Sequence, residues 1–365
     1  MNKQYDMAVF IGRLEPFTEA HKRNVQTALN HAKKVTVIIG SANAPRSHRL
    51  PFTFDERAAM VKAAFPNDAD RIFCEPVEDT IYNDEQWVKN VQNAVKNAFT
   101  TAFGAWYPLA SVALVGHGKD STSFYLKLFP QWGSINVSNY KNINATDVRK
   151  KFFSADAVFE QISTVIPADT VPQSTVDFLL KFSMTAEYHN IVDEYEFVKK
   201  YRSAWDNSPF PPTFVTVDSV LVQSGHILLV ERGARPGKGL WALPGGFLRA
   251  YDELNKKTGK MMPADKTMLD GAIRELREET RIKVPEPVLR GSVKAAQVFA
   301  DPNRSSRGRT VTHAFLIHLP PDTELPKVKG SDDAKKAVWV PLADVKRNMM
   351  FEDHKEIIDA MVAFI

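Results

Sequence analysis

Residues 271–280, GAIRELREET, carry chemistry that residue types alone make readable. After Gly271 the stretch has no helix breaker, and Ala, Leu, Arg and Glu are good helix formers. Glu275, Glu278 and Glu279 fall at i, i+3 and i+4, so a helix sets three carboxylates on one face. Such crowding repels unless a cation neutralises it. Oxygen-only donors suit a hard divalent ion such as Mg2+, which keeps waters and engages substrate phosphates. The competing reading is a solvated acidic face with Arg274 and Arg277 as partners. A second stretch, Gly12-Arg-Leu-Glu-Pro-Phe-Thr-Glu-Ala-His21, brings a glycine turn, an arginine and an imidazole to a helix start. These are the parts of a polyphosphate cradle; a histidine near a helix start can equally be structural.

Both stretches need elements to hold them. Residues 7–11 read as a buried strand running into Gly12, 19–34 as a helix, and 35–39 as a second strand ending at Gly40-Ser41. Strand–helix–strand predicts a parallel α/β sheet with ligands at the carboxyl ends of its strands. Further strands are expected at 71–73 and 112–115, with a helix around 85–99. Gly116-His-Gly-Lys119-Asp120 then makes a glycine turn able to approach a base or ribose closely. Residues 155–166, 174–182 and 185–205 read as helices, and Asn207-Ser-Pro-Phe-Pro-Pro212 stops the last. This divides the chain into a domain over 1–184, a helical spacer and Pro-rich linker over 185–212, and a domain over 213–365. In the latter, strands are expected at 213–222 and 226–231 around the hairpin signal Gln223-Ser-Gly, then at 241–247, 288–299, 310–318 and 337–340. Phe351-Glu-Asp-His354 starts a last helix.

A length of 365 residues allows two or three separate cores, and 44% hydrophobic with 25% charged residues is ordinary for a soluble globular protein. The net charge of +4 suits small anionic substrates and does not call for nucleic acid. The single cysteine, Cys74, rules out an internal disulfide and fits a reducing compartment. The first residues have too short an apolar run for a signal peptide, and no segment approaches the roughly 20 apolar residues of a membrane span. The expectation is a cytoplasmic protein without membrane or nucleic-acid partners. A homo-oligomer is compatible with the sequence, which does not fix the oligomeric state.

The turn at 12–21 resembles the nucleotidyltransferase signature G-R-x-x-P-x-H-x-G-H, with Thr18 and Ala20 replacing the first histidine and inner glycine. Ser47-His-Arg-Leu-Pro-Phe-Thr-Phe-Asp-Glu-Arg57 resembles the archaeal-type nicotinamide mononucleotide (NMN) adenylyltransferases, whose arginine before Pro-Phe reaches the phosphates; here it is Arg49. Asp79-Thr-Ile-Tyr-Asn-Asp-Glu-Gln-Trp87 resembles their nicotinamide pocket. The likeness implies that Asn83 reads the carboxamide and Trp87 stacks on the cationic ring, against the alternative of a plain helix-to-core anchor. Ile143-Asn-Ala-Thr-Asp-Val-Arg149 resembles the family's I-S-x-T-x-x-R, with Asn144 replacing serine. Thr146 would cap a helix, and Arg149 would hold the β- and γ-phosphates. The resemblance implies catalysis by His21, Arg13 and Arg49. It implies ATP and NMN binding by Gly12, Pro16, Phe17, Thr18, Asn83, Trp87, Gly116, Lys119, Asp120, Asn144, Thr146 and Arg149. The reaction would be attack of the NMN 5′-phosphate on the α-phosphorus of ATP, giving NAD and pyrophosphate, with Mg2+ and no covalent intermediate.

The 271–280 stretch resembles the helix of the Nudix box, R-E-hydrophobic-x-E-E, and Trp241-Ala-Leu-Pro-Gly-Gly-Phe247 its opening strand and glycine turn. Two departures stand out: Arg281 takes the place of the glycine near the end of the box, and the loop at 247–266 is longer than usual. Residues 298–315 resemble a segment of Nudix ADP-ribose pyrophosphatases and of related regulators. Arg304, Arg307 and Arg309 would then face a diphosphate, or else form a solvated basic hairpin. The resemblance implies Glu275, Glu278 and Glu279 as Mg2+ ligands, Gly245, Gly246, Arg304 and Arg309 as substrate contacts, and Glu279 or Glu352 as catalytic carboxylates, with Asp353 an alternative base. Arg274 would fix the helix carboxylates rather than touch substrate.

The whole implies an α/β protein, an N-terminal Rossmann-like nucleotidyltransferase domain plus a C-terminal Nudix α/β/α sandwich. It would bind Mg2+ at both sites and act on ATP, NMN, NAD and ADP-ribose. Two alternatives stay open: a Nudix half that only senses ADP-ribose, and adenylyl transfer to another phosphorylated acceptor.

Overall fold

The first strand is buried from Met7 to Phe10 without alternation, as expected for a central parallel strand covered on both faces. In the computed structural model the described residues are 3–107, 110–116, 126–154, 166–167, 169–254, 259, 261–330 and 334–365. They form two compact units, Met1–Tyr195 and Glu196–Ile365.

The first unit runs β1 (Tyr5–Gly12), α1 (Glu19–His31), β2 (Ala32–Ile39), α2 (Phe54–Ala63), β3 (Ile72–Pro76), α3 (Asp84–Phe103), β4 (Val112–Gly116), β5 (Gly133–Asn136), α4 (Ala145–Ser154), α5 (Gln173–Phe182) and α6 (Ala186–Ser203). Its sheet has the order β3-β2-β1-β4-β5, with every pairing parallel. Strand order reverses between β1 and β4, so a crevice opens beyond their carboxyl ends, where Gly12 and Gly116 stand. One face packs Phe17, Leu29, Met60, Phe152 and Leu179 into a core, and the other packs Val91, Val95 and Phe99 of α3. The division between units falls within α6, whose Tyr188 and Ile191 join the first of these cores. The helix expected over 19–34 ends at His31, because Ala32 already pairs with Tyr5 on β1. The helix expected over 155–166 falls almost wholly outside the described residues.

The second unit runs β6 (Thr213–Gln223), β7 (His226–Arg232), β8 (Trp241–Ala242), β9 (Gly245–Phe247), β10 (Glu253–Leu254), β11 (Met261–Met262), α7 (Met268–Thr280), α8 (Glu286–Gly291), β12 (Val293–Phe299), β13 (Arg309–His318), β14 (Ala334–Pro341) and α9 (His354–Val362). The main sheet has the order β12-β13-β6-β7-β14, with β8 on β7 and β9 on β6. Only the β13–β6 pairing is parallel among those described. Ser224 and Gly225 both take positive φ, closing the β6–β7 hairpin that Gln223-Ser-Gly signals.

Two expected strands are corrected. The strand over 241–247 breaks at Leu243-Pro244 into β8 and β9, since Pro244 has no amide to give a ladder. The strand over 288–299 begins only at Val293, because Pro287 in its first turn favours the short helix α8.

Helix α7 starts on a capping box, Thr267 Oγ1 accepting from Asp270 N at 3.1 Å and Asp270 Oδ2 from Thr267 N at 3.0 Å. It ends on Arg281 in the left-handed region, φ 46° and ψ 33°, where glycine is the unstrained choice. Arg281 is exposed, so little else is lost with its side chain. Arg281→Gly should therefore stabilise the second unit by about 0.5–1 kcal/mol, read as a higher urea midpoint at unchanged slope; a lower midpoint would contradict the strain.

Candidate functional site

In the first unit the turn after β1 is built around an unusual capping box. Thr18 caps α1 by accepting from His21 N at 3.4 Å, and His21 Nδ1 accepts in return from Thr18 N at 3.1 Å. A backbone amide can only donate, so Nδ1 is the acceptor and the imidazole proton sits on Nε2. The ring lies against Phe17 at 5.9 Å and Phe10 at 6.0 Å, and burial pushes its pKa down to about 4. His21 is thus a neutral N–H donor rather than a positive charge. Phe17 and Thr18 are fully buried, which corrects their expected role as substrate contacts: Phe17 backs the imidazole and Thr18 orients it. Pro16 is buried beside them.

Three guanidiniums converge on this turn. Arg149 from α4 donates through Nη1 to the carbonyl of Glu15 and through Nη2 to Thr146 Oγ1 at 3.2 Å. Burial, and then the positive charges of Arg13 and Arg49, hold Arg149 below the usual arginine range, with the nearby Glu15 opposing them. Like charges gather this closely where an anion is to be held. Arg13 is largely exposed, and it pairs with Asp79 at 3.6 Å. Asn144, not Thr146, caps α4: its Oδ1 accepts from Thr146 N at 2.9 Å, and Thr146 is left to steady Arg149. Gly12 leaves room for Leu14, whose Cδ2 lies 3.1 Å from where a β-carbon would be. At Gly116 a β-carbon would stand 2.5 Å from Leu126, so this glycine serves packing. Lys119 and Asp120 lie outside the described residues. Asn83 caps α3, its side-chain oxygen accepting from Gln86 N at 3.0 Å. Trp87 is half-buried with its ring 6.1 Å from Phe129, so it anchors α3 while keeping one part accessible.

The second unit contains a cavity of about 460 Å3. Gly245, Gly246, Glu275, Glu278, Glu279, Arg304, Arg307 and Glu352 all line it. A β-carbon on Gly246 would sit 2.8 Å from the Glu275 carboxylate, and one on Gly245 2.2 Å from Val217 O, so Gly246 lets α7 close on β9 and Gly245 lets β9 close on β6. Arg274 holds the acids in place as expected: it bonds Asp265 at 2.8 and 2.9 Å, Glu275 at 2.7 Å and Glu278 at 3.1 Å. Glu279 accepts from Gly245 N at 3.0 Å, yet burial, aided by Glu275 and Asp218, pushes its pKa up to about 8. Among the described residues no three acidic, histidine or cysteine groups are closed into a ready metal cluster. The donor chemistry nevertheless fits a hard cation, since three helix carboxylates share one cavity and burial raises two of them, Glu275 and Glu279. In the first unit the fit fails: Asp79 beside Arg13 is already engaged by Ser41. The described residues there offer no carboxylate set for the Mg2+ expected at both sites.

Asp353 is ruled out as a base. It is 2% exposed and bound by Arg304 at 2.8 and 2.9 Å, so Arg304 in turn braces the loop as well as lining the cavity. Glu352 stands at φ 41° with its Oε1 accepting from Ser306 N at 2.8 Å and from the Ser305 and Ser306 hydroxyls. Arg309 is exposed at the start of β13 and does not line the cavity, unlike Arg307. Sequence reasoning missed Asp218, Arg232 and His354. Asp218, buried at the cavity, was signalled only by a lone carboxylate in an apolar strand. Arg232 lies 3.9 Å over Phe351, and His354 Nδ1 accepts from Leu243 N at 2.9 Å, its pKa pushed down to about 3 by burial. In the first unit Glu15 and Arg57 were missed, although both lie within the quoted motifs.

Fold and sites together define a Rossmann-like nucleotidyltransferase domain followed by a Nudix domain. Residues 9–151 match the Cytidylyltransferase-like family and residues 212–361 the NUDIX domain. The chain is 31% identical, over 53% of its length and 94% of the relative's, to the nicotinamide/nicotinic acid mononucleotide adenylyltransferase of Acinetobacter baylyi. It is 29% identical, over 40% of its length and 70% of the relative's, to the ADP-ribose pyrophosphatase of Methanocaldococcus jannaschii. It is also similar to the crystal structure of a bifunctional NMN adenylyltransferase/ADP ribose pyrophosphatase from Francisella tularensis complexed with AMP and a Mn ion. That likeness has a TM-score of 0.83 at 34% identity, covering 98% of this chain and 99% of that one. The chain belongs to the family of bifunctional NMN adenylyltransferase/ADP-ribose pyrophosphatases. Among the described residues no helix is long and apolar enough to cross a membrane.

The neutral state of His21 has a direct check. Its folded pKa of about 4 lies below the free value of 6.5, so the unfolded chain takes up the proton first. The first unit should lose stability as pH falls from about 6.5 towards 4, and nitrogen-detected NMR should find His21 as the Nε2–H form above pH 5. A titration midpoint near 6.5 would contradict the buried site.

Proposed function

We propose that the first unit transfers AMP from ATP to NMN, giving NAD and pyrophosphate, and that the second hydrolyses ADP-ribose to AMP and ribose 5-phosphate. The observation that carries this reading is the full-length likeness to the Francisella tularensis protein, which has both named domains on one chain. The residues of each site support it separately.

In adenylyl transfer the acceptor phosphate is already ionised, so no base is required. The chain's task is to place two anions together and to neutralise charge as it moves to pyrophosphate. Arg13, Arg49 and Arg149 supply positive charge from three segments, and the Nε2–H of His21 supplies a fixed donor. Trp87, part accessible, offers a ring face for the cationic pyridinium.

In hydrolysis Glu275, Glu278 and Glu279 would hold Mg2+, which supplies charge neutralisation of the diphosphate and acidification of water. Glu352 is assigned as base. All three of its described donors sit on Oε1, which orients Oε2 for a water. Arg307 and Arg232 line the same cavity and would pair with the diphosphate.

The two activities should separate by mutation. His21→Ala should lower NAD synthesis about 100-fold or more and leave ADP-ribose hydrolysis within twofold; loss of both would contradict two independent sites. Glu352→Gln should do the reverse, lowering hydrolysis about 100-fold, with an unchanged rate removing Glu352 from the chemistry. Trp87→Ala should raise KM for NMN about 10-fold and leave KM for ATP unaltered; equal effects would reduce Trp87 to packing.

A further inference from the structure

We propose that Arg57, braced by Glu15, is a positioning residue for adenylyl transfer that fixes the two glycine turns against each other; this rests on the adenylyl-transfer reading above. Arg57 projects from α2 and is 1% exposed, so it cannot touch a nucleotide in the crevice. Its guanidinium collects carbonyls from three segments. Nη1 donates to Arg13 O at 2.9 Å and Gly40 O at 2.8 Å, Nη2 to Ser41 O at 3.2 Å, and Nε to Thr53 O at 3.2 Å. Glu15 Oε1 stands 3.2 Å from Nη1, and Glu15 Oε2 accepts from Phe52 N at 3.2 Å. The carbonyl of Glu15 is the oxygen that receives Arg149.

One buried fork thus ties the end of β1, the end of β2 and the start of α2, and through Glu15 it reaches the arginine of α4. Burial pushes the Glu15 pKa up to about 8 against the pull of Arg57, so the buried guanidinium itself is the costly charge, and an apolar side chain of similar volume would hold this core at least as well. What an apolar residue cannot do is point four carbonyl groups at one spot. That arrangement fixes the peptide planes from which Arg13 and the Gly40-Ser41 turn project. Lysine keeps the charge but not the planar fork, so the geometry is specific to arginine. A displacement of about 1 Å at a reacting group can cost about 100-fold in rate.

The test uses the full chain with Arg57→Lys and, as a harsher replacement, Arg57→Gln. ATP binding is titrated by calorimetry for both stoichiometry and Kd, and adenylyl transfer is followed with ATP and NMN varied in turn. ADP-ribose hydrolysis is measured in the same preparation. The expected result is an unchanged ATP stoichiometry, Kd for ATP weakened about 10-fold, and kcat lowered about 30-fold or more. KM for NMN and the hydrolysis rate should stay within about threefold. A merely structural role predicts something else: stoichiometry falling in step with kcat, while the surviving sites keep the parent Kd. That outcome, or an unchanged Kd and kcat in Arg57→Lys, overturns the proposal. If the parent chain binds ATP but makes no NAD, the functional reading fails instead, and the ATP titrations still judge Arg57.

Discussion

Both halves of this chain depend on one constraint: like charges must be held together while no ligand is present. In the first unit Arg13, Arg49 and Arg149 repel one another, and in the second Glu275, Glu278 and Glu279 do. A fold cannot leave such groups to find their own places, because each would swing to solvent. The chain solves this twice with the opposite sign. The acids are pinned by a guanidinium, Arg274, that spans Asp265, Glu275 and Glu278. Arg149 is set by the backbone carbonyl of Glu15, and Arg13 by the carboxylate of Asp79. In the second unit the holding group is half-buried and the held carboxylates line the cavity.

The parallel sheet and the mixed sheet then follow as platforms for these clusters. The turns that matter stand at the carboxyl ends of β1 and β2 in one unit, and at the β9–α7 closure in the other. Glycine is required at Gly245 and Gly246 because helix carboxylates and strand carbonyls approach too closely for any side chain. Asp218 and His354, both buried, and the half-buried Arg232 supply a polar lining around them, with Asp218 bonded by Thr312 and His354 by the Leu243 amide.

The motifs were legible because their residue types are rare in combination. Gly-Arg-x-x-Pro followed by His21, and two glycines followed by spaced glutamates, declare their chemistry through residue identity and spacing alone. The strands of both sheets also followed, in the main, from apolar runs and turn signals. What stayed hidden were the supports. Arg57 reads as one more charge on a helix until its fork is seen among four carbonyls. Asp353 and Glu352 are adjacent carboxylates with the same pattern on paper, and only burial against Arg304 separates the brace from the carboxylate proposed as base. Arg309 and Arg307 differ likewise by which side of a loop they leave. Strand alternation could not foresee that Pro244 would split one strand between two partners.

The reciprocal bonds of Thr18 and His21 join two things that are usually separate. The same pair of bonds that starts a helix also fixes which nitrogen of a reactive ring carries hydrogen. Fraying of that first turn, the loosest part of any helix, would therefore swing the ring and erase its preferred tautomer at one stroke. Order at a single helical end thus also sets the hydrogen that the pocket presents.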